Sequence, residues 1–170
     1  MPKTLILIRH AKSSWAIEGQ PDFERPLNDR GMKAAPFMAK RWAKIFSPKV
    51  HLISSTAKRA HTTAQFFVIA LHEEWGKPVV LKNEKAIYHA PLSDLLAIVN
   101  GLENKHSEVV LFGHNPGMSE LLYYLTGEMI SMPTCAVAKI ELNIDDWAMV
   151  SEGIGTLAEY DYPKKHVIED

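Results

Sequence analysis

The sequence predicts an α/β protein, a three-layer α/β/α sandwich on a mainly parallel sheet. Two observations point there: short apolar runs rich in β-branched residues recur along the chain, and segments with apolar residues at helical spacing separate them by short connections. The first run, Thr4-Leu5-Ile6-Leu7-Ile8, is apolar-leaning throughout, as a strand buried on both faces requires. Polar residues follow up to Arg30-Gly31, and Met32 to Phe46 then reads as a helix that ends before Ser47-Pro48. Val50 to Ser54 reads as a second strand, Ala57 to His72 as a helix, and Val79-Val80-Leu81 as a third, shorter strand. Leu92 to Leu102 is helical in pattern, with Leu92, Leu95, Leu96 and Val99 on one face. Val109-Val110-Leu111-Phe112 is another buried strand, followed by Gly113-His114-Asn115-Pro116-Gly117 and a helix as far as Leu125. In the C-terminal third, Ala136 to Leu142, Trp147 to Ser151 and Thr156 to Tyr162 alternate like antiparallel or edge strands, and Pro163 to Asp170 is expected to be mobile. No repeat, low-complexity tract or linker divides the chain, so one domain over residues 1–170 is expected.

Composition narrows the function. The 170 residues carry a formal net charge of -1, which gives no whole-surface attraction for nucleic acid or an anionic membrane. Any affinity for an anion must come from a local site. The single cysteine, Cys135, excludes an intrachain disulfide and a cysteine-based zinc site, and it favours a reducing compartment, with the cytoplasm as the default expectation. The apolar run after Met1-Pro2-Lys3 is too short for a signal-peptide core of roughly 7–15 residues, or for a membrane span of about 20.

In open α/β sheets ligands bind beyond the carboxyl ends of the strands. Those ends carry Arg9-His10, Ser54-Ser55-Thr56 leading to Arg59, Glu84, and Gly113-His114. Ser55 or Thr56 is a good N-cap, which puts Lys58 and Arg59 in the first helical turn, where cations oppose the helix dipole unless an anion binds there. Asn115 as N-cap with Pro116 at the first helical position makes a second helix start, with His114 between it and the preceding strand. Arg9 can grip a phosphate bidentately, and its charge disfavours protonation of His10, leaving the imidazole free as a nucleophile.

The ordered segments Arg9-His10-Ala11, Leu27-Asn28-Asp29-Arg30-Gly31, Ser54 to Ala60 with Thr63-Ala64, and Gly113 to Gly117 resemble the histidine phosphatase superfamily over most of the chain. The run Arg9 to Trp15 and the short length are most similar to its SixA-type phosphohistidine phosphatase branch. The resemblance implies a phosphoglycerate-mutase-like fold, no metal or other cofactor, transient phosphorylation of His10, and a phosphoryl group bound by Arg9, Arg59 and His114. Two positions depart from the wider superfamily. Ala11 replaces the usual glycine, a change common in the SixA-like branch. Ala16 stands where the sugar-phosphate mutases have an asparagine. Little sequence remains for lid helices, which weighs further against a mutase.

The expected reaction is a two-step transfer to His10 and then to water, with electrostatic stabilisation by Arg9, Arg59 and His114. Asn83-Glu84-Lys85 and Tyr88 resemble the mutase segment that carries the acid glutamate, which makes Glu84 the candidate general acid, against a reading as a surface residue. The phosphorylated substrate is either a phosphohistidine protein or a small phosphomonoester; an open pocket favours the first and an enclosed one the second. A phosphate-binding module without activity is the rival from another class. A histidine-ligated metal hydrolase lacks a close His-x-x-x-His or carboxylate-rich pattern. The oligomeric state is open.

Overall fold

The computed structural model describes residues 2–168. Six strands form one sheet: β1 (Lys3–Arg9), β2 (His51–Ser54), β3 (Leu81–Asn83), β4 (Glu108–Gly113), β5 (Val137–Leu142) and β6 (Gly155–Asp161), in the order β3-β2-β4-β1-β5-β6. The pairs β3–β2, β2–β4 and β4–β1 are parallel, whereas β5 runs antiparallel to both β1 and β6. Helices α1 (Asp29–Ala43), α2 (Lys58–Trp75), α3 (Leu92–Asn100) and α4 (Gly117–Thr126) complete the fold.

Side chains alternate across each strand, so a strand covered on both faces must be apolar throughout. Leu5, Leu7, Val109 and Leu111 pack with Leu95 and Val99 of α3 and Leu121, Leu122 and Leu125 of α4. Ile6, Ile8, Leu52, Val110 and Phe112 pack on the other face with Met38 and Trp42 of α1 and Phe67 and Leu71 of α2. Each such leucine or isoleucine contributes about 1.5–3 kcal/mol by leaving water. The sheet is thereby held rigid beneath the ends of β1, β2 and β4.

Several boundaries differ from the sequence reading. Helix α1 starts before Met32, because Asn28 Oδ1 accepts the Gly31 N–H at 2.9 Å and caps it. Gly31 is also required by space: a Cβ there would meet the Lys12 carbonyl oxygen at 2.2 Å. Neither Ser55 nor Thr56 caps α2; Ala57 precedes it, and Ser55 Oγ accepts the Ala57 N–H at 3.2 Å instead. That helix passes His72 and stops at Gly76, whose φ of 65° is left-handed. The third strand is displaced from Val79-Val80 to Leu81–Asn83, the stretch in register with Leu52 to Ser54, and Val80 is exposed. Trp147 to Ser151 is not a strand. Asp146 Oδ1 accepts the Ala148 N–H and caps a short 3-10 turn, Trp147–Met149, while the buried Trp147 indole donates to the His106 carbonyl at 2.7 Å. The start of the tail is fixed rather than loose: Pro163–Lys165 form another 3-10 turn and His166 Nε2 lies 2.6 Å from Asp161 Oδ1, while the last two residues of the expected mobile tail lie outside the described residues. No described helix is long and apolar enough to cross a membrane.

Candidate active site

Strands β1, β2 and β4 are neighbours, and their register sets Arg9 opposite Gly113 and Ser54 opposite Phe112. The residues just beyond those pairs therefore converge at one edge. His10 follows β1 and is buried, its backbone N–H donating to the Gly113 carbonyl at 3.1 Å. His10 Nδ1 lies 2.7 Å from the Ala11 carbonyl oxygen. A carbonyl only accepts, so this contact assigns the ring proton to Nδ1 and leaves the Nε2 lone pair available. The Ala11 N–H in turn donates to Thr63 Oγ1 at 2.9 Å, and Thr63 donates to the Arg59 carbonyl at 2.8 Å. Helix α2 thus fixes the loop that orients the His10 ring. Burial, joined by the charges of Arg59, Arg9 and Arg25, lowers the His10 pKa to about 4 against the opposing bond to Ala11.

The His114 ring lies 5.2 Å from that of His10. His114 Nε2 is 2.8 Å from Ser55 Oγ, and His114 Nδ1 is buried without a partner. With the Ser55 hydroxyl donating to Nε2, Nδ1 carries the proton and becomes a donor into the pocket. Burial first, then His10 and Arg59, lower the His114 pKa to about 3. Asn115 is not the helix N-cap residue that the sequence suggests, yet its Oδ1 still accepts the Ser119 N–H at 3.2 Å and the Ser119 hydroxyl at 2.9 Å, anchoring the start of α4.

Three arginines complete the pocket, each holding a nitrogen in reserve. Arg9 Nη1 donates to the Met132 carbonyl at 2.9 Å, while its Nε is buried and unpaired. Arg59 donates through Nη1 to the Asp22 carbonyl at 2.7 Å and through Nη2 to Asp22 Oδ2 at 2.9 Å, and its Nε has no partner. Arg25 donates to Ser13 Oγ at 2.9 Å and to Asp22 Oδ1 at 3.2 Å, lies under the exposed Trp15 ring, and leaves Nη1 unpaired. A buried donor without an acceptor costs about 1–3 kcal/mol. Four of them around one histidine describe a site built for an anion with several acceptor oxygens.

The structure brings Arg9, His10, Arg59 and His114 together and leaves Glu84 outside. The Glu84 carboxylate turns back to its own chain, 3.5 Å from the Ala86 N–H, and lines a separate cleft with His51, Asp94 and His106. Among the described residues no contact joins Glu84 to Arg9, His10, Arg59 or His114. The carboxylate that does reach the pocket is Asp22, in the 3-10 turn Asp22–Glu24. Its Oδ2 also accepts from the Tyr88 hydroxyl at 2.7 Å and lies 3.4 Å from His89 Nε2. Burial would raise its pKa, but the hydrogen bonds from Tyr88 and Arg59 and the charges of Arg59 and Arg25 bring it down to about 2. Sequence reasoning missed Asp22 and Arg25; the available signal was the Asp22-x-x-Arg25 spacing just before Leu27-Asn28, which makes an i, i+3 ion pair. Among the described residues, no three His, Cys, Asp or Glu side chains converge so as to hold a metal ion.

A sequence profile of the histidine phosphatase superfamily (branch 1) matches residues 5–83. The crystal structure of a protein from Agrobacterium tumefaciens, assigned as the phosphohistidine phosphatase SixA, superposes with a TM-score of 0.78 at 27% identity, covering 96% of this chain and 99% of that one. The protein histidine phosphatase SixA solved with tungstate shares the fold, with a TM-score of 0.76 at 20% identity over 95% of this chain and 98% of that one. An uncharacterised chloroplastic protein of Arabidopsis thaliana is 25% identical over 158 residues, spanning 85% of this chain and 69% of its own length. The ordered motifs, the buried histidine among arginines and the shared fold agree: residues 5–83 match the histidine phosphatase superfamily, and the chain is SixA-like in architecture.

Proposed function

We propose that this protein is a metal-independent phosphatase that passes a phosphoryl group through His10, with protein-borne phosphohistidine as its substrate. The observation that carries the reading is His10 itself, held with a free Nε2 lone pair among four buried, unpaired donors. Nε2 attacks phosphorus in line, the bond to the leaving group breaks, and Arg9, Arg59 and His114 stabilise the equatorial oxygens. Water then attacks the phosphohistidine, the N–P bond breaks, the protons of the water leave with inorganic phosphate, and neutral His10 is regenerated.

The leaving group follows from Asp22. An alkoxide needs a proton as it departs, and a carboxyl with a pKa of about 2 has none to give near neutral pH. The imidazole of a phosphohistidine titrates near neutrality and can bring its own proton. The stretch between Ser14 and Arg25 carries one 3-10 turn rather than lid helices, which leaves room for a polypeptide substrate. The Agrobacterium SixA likeness supports the same reading.

The test compares wild type and His10→Ala, with chelator present, on a phosphohistidine peptide, a phosphoserine peptide and p-nitrophenyl phosphate. Chelator-resistant activity, strongest on phosphohistidine and lost in the variant, is expected. Cleavage of p-nitrophenyl phosphate but not of phosphohistidine would redirect the substrate to small phosphomonoesters. Phosphate binding without turnover would leave only a binding module.

A further inference from the structure

Beside the pocket lies a cleft of about 770 Å³. Its walls carry Arg9, Lys12, Arg30, Lys33, Lys164 and His166, and among the described residues no Asp or Glu lines it. The chain as a whole has 19 Lys and Arg against 20 Asp and Glu, so this segregation of charge is local. Arg9 belongs to both places: its charge acts on His10, and its side chain also lines the cleft. Lys12 follows His10 by two residues, and the floor is the Pro133-Thr134 turn, next to the Met132 carbonyl that holds Arg9. The cleft is therefore an extension of the phosphoryl site on the far side of Arg9.

We propose that this cleft binds acidic side chains of the protein substrate that neighbour its phosphohistidine; the proposal rests on the phosphohistidine reading above. Lys12, Arg30, Lys33 and Lys164 are exposed, and they are carried by three separate segments of chain. Long, solvated side chains spread in this way suit several carboxylates distributed along a polypeptide. One compact phosphate would call for fixed donors converging on a point, as at His10. The apolar share of the walls, Ala34, Pro133, Pro163 and Ile168, gives a main chain something to lie against. At its volume the cleft lies within the roughly 300–1,000 Å³ usual for ligand sites.

The experiment measures kcat and KM on two phosphohistidine peptides, one flanked by Asp and Glu and one by Ser and Ala, with p-nitrophenyl phosphate as reference. The enzymes are wild type and the double variant Arg30→Gln/Lys164→Gln, neither residue being part of the phosphoryl pocket. Wild type should show a lower KM for the acidic peptide, with the preference shrinking as salt is raised. The double variant should raise that KM about three- to tenfold, the scale of two partly exposed ion pairs, with kcat and the other two substrates unchanged. Equal KM values for the two peptides in wild type, or a variant that slows all three substrates alike, would overturn the proposal. Should neither phosphohistidine peptide be cleaved, inhibition of p-nitrophenyl phosphate hydrolysis by an unphosphorylated acidic peptide still decides. Inhibition relieved in the variant keeps the cleft while the substrate reading fails, and no inhibition removes the cleft. Stronger, variant-sensitive inhibition by inorganic triphosphate than by the peptide would assign the cleft to a small polyanion and overturn the peptide.

Discussion

Around Asp161, an arginine, a histidine and a carboxylate meet in a cluster where every acceptor is used, whereas around His10 the same kinds of group leave donors unused. Asp161 is buried; its Oδ2 accepts from Arg41 Nε at 2.8 Å and Trp42 Nε1 at 3.0 Å, and its Oδ1 from His166 Nε2 at 2.6 Å and the Tyr162 N–H at 3.0 Å. At the other site Arg25 and Arg59 share one carboxylate, Asp22, Arg9 is held by the Met132 carbonyl, and one side-chain nitrogen of each arginine, with His114 Nδ1, has no partner. A closed cluster clamps β6 and the tail onto α1 and does no chemistry. An open one stores electrostatic potential that a ligand discharges. The difference lies in the balance of donors and acceptors.

Substitutions break this comparison in order of size. His10→Ala removes the nucleophile and should lower phosphatase turnover by about 10⁴ or more, read as initial rates on a phosphohistidine peptide. Arg59→Ala should lower kcat by about 10²–10³, and Arg59→Lys should not restore it, because the planar fork is lost; a lysine variant at wild-type rate would show that Arg59 supplies charge alone. Asp161→Ala should do the reverse. It leaves Trp42 Nε1 and His166 without an acceptor, which costs about 2–4 kcal/mol in urea unfolding, with kcat per folded molecule unchanged.

Acid should separate the two clusters as well. Protonated His10 has no lone pair, and its pKa is held down at about 4, so phosphoenzyme formation should persist below the ordinary histidine range and fall only as pH drops through about 4. In the unfolded chain the same histidine binds a proton near 6.5. Folding stability contributed by neutral His10 is therefore lost between about pH 6.5 and 4 as pH falls. The smallest effect belongs to Asp22→Asn. The native carboxylate competes with phosphate for Arg59, so the variant should bind inorganic phosphate about fivefold more tightly, on the scale of one partly exposed ion pair, in a competition assay.

The parts legible in the sequence are those that a local pattern encodes. Short apolar runs mark β1 and β4 and the Val50 to Ser54 stretch marks β2, and the strand-end rule then gathers Arg9, His10, Arg59 and His114 at one edge. The parts that escaped depend on where a side chain turns. Glu84 stands at a strand end like the others, but its carboxylate folds back on the Ala86 N–H and lines a cleft with His51 and His106. Asp22 and Arg25 lie between elements, where no periodicity singles them out, and only the fold sets them against Arg59. Trp147 alternates like a strand residue, yet Asp146 caps a turn there and the indole finds the His106 carbonyl. The motif residues Ser55 and Thr63 gained a purpose only in three dimensions, as the groups that hold His114 and the Ala11 loop.

The most direct test of the account is the site of the covalent intermediate. Wild-type protein is mixed with a phosphohistidine peptide, quenched in alkali within the first turnover, digested and mapped by mass spectrometry. The account predicts one acid-labile phosphoryl group on the peptide that contains His10, absent from the His10→Ala protein. A phosphoryl group on another residue, or turnover with no phosphoenzyme at any quench time, would contradict it.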